Sequence, residues 1–178
     1  MVDNRVVECL PTPGEENEVG NESEGDGEND RKEDDRVDWS GLVVSEVFPD
    51  PRGDDTALMP GGEWVEVRYT GGLEVDVAGL LVCDKSENCV TISDANVVEG
   101  TIMKAGSYVV VYMNGHGLLN NNGFEEVFLK GEEVIDKMSY TDSKLDLSWS
   151  RLDEVFKLTG PTPGRENVES ENDGGERE

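Results

Sequence analysis

The chain has one histidine, His116, in 178 residues. Set between Asn114-Gly115 and Gly117, it reads as a loop residue and supplies no Ser-His-Asp or Cys-His relay. No G-x-S-x-G, Walker or Rossmann glycine pattern occurs, so no enzymatic activity is expected. Basic residues are scarce: 15 Lys and Arg stand against 41 Asp and Glu, a net charge of −26. Phosphate binding needs a Lys/Arg patch, so direct nucleic-acid contact is not expected. Anionic membrane surfaces are disfavoured on the same ground. No run reaches the roughly 20 apolar residues of a membrane span, so no membrane insertion is expected. Met1-Val2-Asp3-Asn4-Arg5 opens no apolar h-region, and no signal peptide is read there. The three cysteines have no second Cys/His pair beside them, which argues against zinc.

What is present is acid, valine and turn residues. Val37 to Gly164 carries 22 acidic and 9 basic residues and the ends carry 19 and 6, so each portion holds −13. Glu18 to Asp38 is Glu, Asp, Asn, Gly and Ser with almost nothing apolar. It cannot bury enough surface to offset its ordering entropy, so residues 18–38 read as a disordered acidic linker and 168–178 as a disordered acidic tail. Asn21-Glu22-Ser23 is a glycosylation acceptor pattern that matters only in an extracellular setting. Pro11-Thr12-Pro13-Gly14-Glu15-Glu16-Asn17 recurs as Pro161-Thr162-Pro163-Gly164-Arg165-Glu166-Asn167, an offset of 150 residues. The economical explanation is a tandem array. Residues 1–17 are then the remnant of a preceding repeat, and the neighbouring copies in the same chain are partners. Residues 39–167 form one domain of about 125 residues, near the usual size.

The domain is organised around Glu63-Trp64-Val65-Glu66-Val67-Arg68-Tyr69. Val65, Val67 and Tyr69 fall on one face of an extended strand, and Trp64, Glu66 and Arg68 on the other. Leu42 to Phe48 reads as the first strand. After Glu63 to Tyr69 come Leu73 to Val77, Leu80 to Cys83, Cys89 to Ile92 and Thr101 to Met103. Tyr108 to Tyr112, apolar on both faces, reads as a fully buried inner strand. Phe124 to Leu129 with Val134 to Tyr140, and Ser148 to Leu152 with Val155 to Leu158, read as hairpins. About nine short strands with frequent turns and no helical segment make an all-β sandwich or barrel. The carboxylates are expected outside as a solvated coat. None is read as a lone acid in an apolar run, the setting that raises a pKa for general-acid work.

Cys83 and Cys89 flank a turn, and a cross-hairpin disulfide is expected between them. It would place the protein outside the cytoplasm, secreted or on a cell surface. Cys9 has no obvious partner. Asp50, Asp54, Asp55 and Glu63 gather carboxylates within a short stretch and are candidate calcium ligands, since Ca²⁺ takes six to eight oxygens. Their spacing is not that of an EF-hand. No other cofactor is expected. Arg52-Gly53-Asp54 spells an integrin-type triplet. Trp39, Trp64 and Trp149 could line a carbohydrate or peptide surface, but tryptophans at strand positions more often belong to the core.

The order and spacing of several pieces carry a family resemblance. Val44-Ser45-Glu46-Val47 with Pro49 and Gly53, Glu63-Trp64-Val65-Glu66-Val67, Val75 to Leu80 and Lys104 to Val111 resemble lamin tail domains. Ser148-Trp149-Ser150-Arg151 and Pro161-Thr162-Pro163-Gly164 complete the match, which covers about Trp39 to Asn167. With no heptad rod and no prenylation box, the chain is similar to the prokaryotic branch. The resemblance implies an immunoglobulin-like β-sandwich acting as a non-enzymatic module of a secreted or surface protein, with an unidentified protein or surface as partner. It leaves two alternatives: a calcium-binding adhesion unit, or an accessory domain of a secreted nuclease or hydrolase. The Cys83/Cys89 pair departs from the family pattern.

Overall fold

A computed structural model gives the fold and describes residues 37–169. The expected repeat remnant 1–17, Cys9, the Asn21 acceptor and most of both acidic ends lie outside the described residues. The elements are β1 (Leu42–Phe48), β2 (Trp64–Tyr69), β3 (Val75–Asp76), β4 (Leu81–Cys83), β5 (Cys89–Thr91), β6 (Ile102–Met103), β7 (Tyr108–Tyr112), β8 (Phe124–Lys130), β9 (Val134–Thr141), β10 (Ser148–Leu152) and β11 (Val155–Thr159). Each of the eleven stretches read as extended holds one of these strands, two more than the expected total of about nine, and β3 and β6 are two-residue pieces that pair only with each other. Among the described residues there is no helix.

One antiparallel sheet runs β11-β10-β1-β2-β7 and a second runs β5-β4-β8-β9. The two layers face each other as a β-sandwich. Val44, Val47, Val65, Val67 and Val111 from the first meet Val82, Val127, Leu129 and Met138 from the second in one buried cluster. Period-two placement of β-branched residues supplies this face, since alternate positions of a strand point the same way.

Strand β1 needs one irregularity to do so. Simple alternation from Leu42 and Val44 would carry Glu46 into the core. The pairing of β1 with β2 shifts between Val44 and Glu46. Such a bulge at Ser45 inserts one residue and reverses the facing of the rest of the strand. Val47 thereby enters the core, while Phe48 joins Trp64 and Tyr112 in a separate cluster on the outer face.

That outer face is covered, which corrects two expectations. Strand β7 is the last strand of its sheet, not an inner one. Its apolar outer residues are explained by the aromatic cluster, where Val110 packs with Phe48, Trp64 and Tyr112. Its free edge is partly met by a bridge from Val97 to Val111 and by the Tyr112 amide donating to the Asn96 carbonyl at 2.9 Å. The carboxylates, too, are not all a solvated coat: Glu46, Glu66 and Glu125 are fully buried and Glu63 is 2 % exposed.

Cys83 and Cys89 are directly opposed across β4 and β5 and are joined as a disulfide. Closing so short a loop is worth about 2 kcal/mol in the chain-entropy account. The turn inside it is held independently, with the Asp84 carboxylate accepting from the amides of Ser86 and Asn88 at 2.8 Å. Replacing both cysteines by serine is therefore expected to lower the urea midpoint, leaving the hairpin register intact. Loss of the β4–β5 amide protection in hydrogen exchange would show that the bond also sets the register.

Candidate functional site

The outer face of the five-stranded sheet carries the most concentrated chemistry. Glu46 of β1 and Glu66 of β2 are direct cross-strand partners. Two like charges so placed repel, and both side chains are out of water. The chain after β11 passes over them. Ser148, Ser150 and Thr162 surround Glu46: Ser150 Oγ donates to Oε1 at 3.0 Å, and Ser148 Oγ donates to the same oxygen. The Thr162 amide lies 3.1 Å from each carboxylate oxygen, and Thr162 Oγ1 lies 3.0 Å from Oε2. Glu66 accepts from Ser45 Oγ, and from the Gly164 amide at 2.6 Å. Gly164 has φ +76°, a conformation glycine adopts without strain, and this turns its amide onto Glu66.

Asn167 completes the closure. Its Nδ2 donates to the carbonyls of Ser45 at 2.8 Å and Arg151 at 3.1 Å, and its Oδ1 lies 2.7 Å from Thr162 Oγ1. Residues 161–167 thus act as a clasp, with Thr162, Gly164 and Asn167 as its three fastening points. A cleft of about 290 Å³ lies on one side of it, lined in part by Arg68, Tyr108, Arg151 and Glu166. A second, of about 160 Å³, lies on the other, against Val110, Tyr112 and Pro163.

Burial pushes the Glu66 carboxyl up to about 7, and the neighbouring Glu46 carboxylate adds to the rise. The bonds from Ser45 and Gly164 oppose it without cancelling it. Desolvation favours the neutral form of an acid, which is the larger effect here.

A second group of acids, Glu63 and Glu125 buried and Asp55 half-buried, fastens the loop before β8. Glu63 Oε2 accepts from the amides of Leu118 at 3.0 Å and Leu119 at 3.1 Å. Asp55 Oδ2 accepts from Asn121 Nδ2 at 2.9 Å, and Glu125 accepts from Asn120 Nδ2 and from the Lys85 amide at 3.0 Å. Tyr140 Oη donates to the Asn120 carbonyl at 3.0 Å. Burial, with smaller contributions from the Asp55 and Glu125 carboxylates, pushes Glu63 up to about 7. Burial likewise raises the Tyr140 phenol, so it stays a donor.

The candidate calcium ligands do not converge. Glu63 is turned onto backbone amides, Asp55 onto Asn121, and Asp54 Oδ1 onto the amide and hydroxyl of Thr56 at 2.9 and 2.7 Å. Asp50 is placed by its backbone, its carbonyl accepting from the Asp146 amide at 2.9 Å. Among the described residues, no group of three or more His, Cys, Asp or Glu side chains is arranged to hold a metal ion. The Arg52-Gly53-Asp54 triplet is tied down at both ends, with Arg52 held at 2.6 Å by Asp146. Trp64 is buried and stacks on Phe48 with ring centroids 5.2 Å apart. Trp39 and Trp149 donate from their indole nitrogens to the carbonyls of Asp76 and Asp142. The tryptophans are fastened structural residues, not an open stacking platform. His116 is exposed in its loop.

Sequence reasoning missed the Glu46–Glu66 pair and its clasp. The available signal was Glu46 lodged in Leu42-Val43-Val44-Ser45-Glu46-Val47-Phe48, an acid in a strand whose one other polar residue is Ser45. Comparison with family models, with curated proteins and with solved structures finds no match.

Proposed function

We propose that residues 39–167 are a non-enzymatic interaction or spacer module, a lamin-tail-like immunoglobulin-like sandwich in a larger tandem protein of the cell exterior. One observation carries the reading: each of the four buried glutamates is engaged by amides or hydroxyls of the scaffold. A general acid or base must reach a substrate proton. Here Glu66 lies beneath the clasp and Glu63 against its loop, so both favour rigidity over chemistry. The disulfide supports an oxidising compartment. The recurrence of the clasp sequence at residues 11–17 supports an array. Loops and sheet edges on a rigid scaffold are then the recognition surface.

The test is an assay of the purified chain against nucleic-acid, glycoside, ester and peptide substrates. No turnover is expected. Hydrolysis that disappears in Glu63→Gln or Glu66→Gln would overturn the reading, because those are the acids with raised pKa.

A further inference from the structure

One buried acid faces a nucleophile and an electrophile at once. Glu125, on β8, is fully buried, and its partners come from separate stretches of chain. Its Oε1 accepts from the amides of Lys85 at 3.0 Å and Glu126 at 2.9 Å. Its Oε2 accepts from Asn120 Nδ2, and Lys85 Nζ lies 3.7 Å from the same oxygen. Lys85 belongs to the turn between β4 and β5, and Asn120 to the loop before β8. A primary amine and a primary carboxamide thus meet at one carboxylate oxygen. We propose that Lys85 and Asn120 are the two halves of an intrachain amide cross-link, with Glu125 carrying protons from one nitrogen to the other.

The chemistry balances with these three side chains alone. The Lys85 ammonium gives a proton to Glu125 Oε2, which frees the lone pair on Nζ. Nζ then attacks Asn120 Cγ, and the Nζ–Cγ bond forms as the Cγ–Nδ2 bond breaks. In all, Nζ gives up two protons and Nδ2 takes up two by way of Oε2, so Nδ2 departs as ammonium. Glu125 ends as the carboxylate it was at the start, and nothing is oxidised or reduced. Position favours the step. The Lys85 backbone is held on Glu125 through its amide, and the Asn120 carbonyl is held by Tyr140 Oη at 3.0 Å. Lys85 Nζ also donates to the carbonyl of Phe124, the residue before Glu125. Reacting groups held this way need no encounter in solution, and the step occurs once per chain. Asn120 is exposed, so the ammonium has a path to water. Lys85 stands two residues after Cys83, so the new amide would secure the same turn as the disulfide and would survive reduction.

The test is the intact mass of the purified full chain, denatured and with its disulfide reduced, followed by trypsin digestion. The unaltered chain should be lighter than its sequence by one ammonia. Trypsin should fail to cut after Lys85 and should release residues 69–104 joined to residues 105–130. Lys85→Arg keeps a cation beside Glu125 without the primary amine, and Asn120→Ala removes the electrophile. Each should show its full sequence mass and give separate peptides. Glu125→Gln should leave the two side chains unjoined; a joined product in that variant would overturn the role given to Glu125. Where Glu125→Gln does not fold, the other two variants and the unaltered chain decide. A full sequence mass in the unaltered chain after prolonged incubation at neutral pH would overturn the cross-link and leave an ordinary ion pair. So would a loss of ammonia with cleavage after Lys85 intact, since ring closure at Asn114-Gly115 or Asn122-Gly123 sheds ammonia too. None of these outcomes bears on whether the chain turns over an external substrate.

Discussion

Glu66→Gln is expected to raise the melting temperature at pH 8 and to leave it nearly unchanged at pH 4. The Glu66 carboxyl is pushed up to about 7 in the folded chain from an ordinary 4.5. Below pH 4.5 it is protonated whether the chain is folded or not, and its contribution to stability is fully present. As pH rises from 4.5 the unfolded chain loses this proton while the folded chain keeps it, so stability falls. Above pH 7 the folded chain has lost the proton too, and the fall levels off. A change of that size is worth on the order of 3 kcal/mol. Gln mimics the neutral acid and does not titrate, so it removes the decline. Glu63 is pushed up to about 7 as well. The double variant Glu63→Gln/Glu66→Gln should therefore flatten the profile between pH 4.5 and 7. Measuring in high salt separates this from the repulsion of the surface acids, which salt screens. An unaltered slope in the double variant would show that these two acids are not the buried titrating groups.

Glu46→Gln should do the opposite and cost about 3 kcal/mol at pH 8. The two glutamates are neighbours of one residue type, yet their surroundings differ. Glu66 meets an amide at one oxygen and a rotatable hydroxyl, able to accept, at the other, whereas the Thr162 amide is 3.1 Å from both oxygens of Glu46. Whichever way the Gln side chain turns, its NH₂ faces that N–H. One buried donor then loses its acceptor, and a second donor is forced against it. Removing one partner from a buried charged cluster leaves the others unsatisfied, which is the costly case. Hydrogen exchange at the Thr162 and Gly164 amides should rise, reporting release of the clasp. Equal stability in Glu46→Gln and Glu66→Gln would contradict the asymmetry.

The strands were legible in the sequence because valine alternation is a local signal. Leu42 to Phe48 and Tyr108 to Tyr112 are read with the same bounds the structure gives them. Covering of the outer face was not legible, because it depends on groups far apart in the chain. Thr162 and Glu46 are separated by 116 positions, and no periodicity links them. The same limit explains β7: an apolar strand reads as inner when both faces are covered, whatever its place in the sheet. The bulge at Ser45 decides where Glu46 points, yet its only mark is one polar residue before an acid. The Pro-Thr-Pro-Gly repeat was visible as a boundary of the domain. Its Thr, Gly and Asn could not be recognised as hydrogen-bonding parts until the two glutamates were seen beneath them.

The route by which the chain leaves the sandwich has a mechanical consequence. A pull on the carboxy-terminal side meets the exposed Glu169–Lys157 ion pair, then Asn167, Gly164 and Thr162, and only afterwards the ladder between β11 and β10. The fastening is point by point, so it should peel under low tension, yielding slack on the order of 20 Å from seven residues while the sheets remain intact. A row of such units would lengthen by small reversible steps before any one of them unravelled.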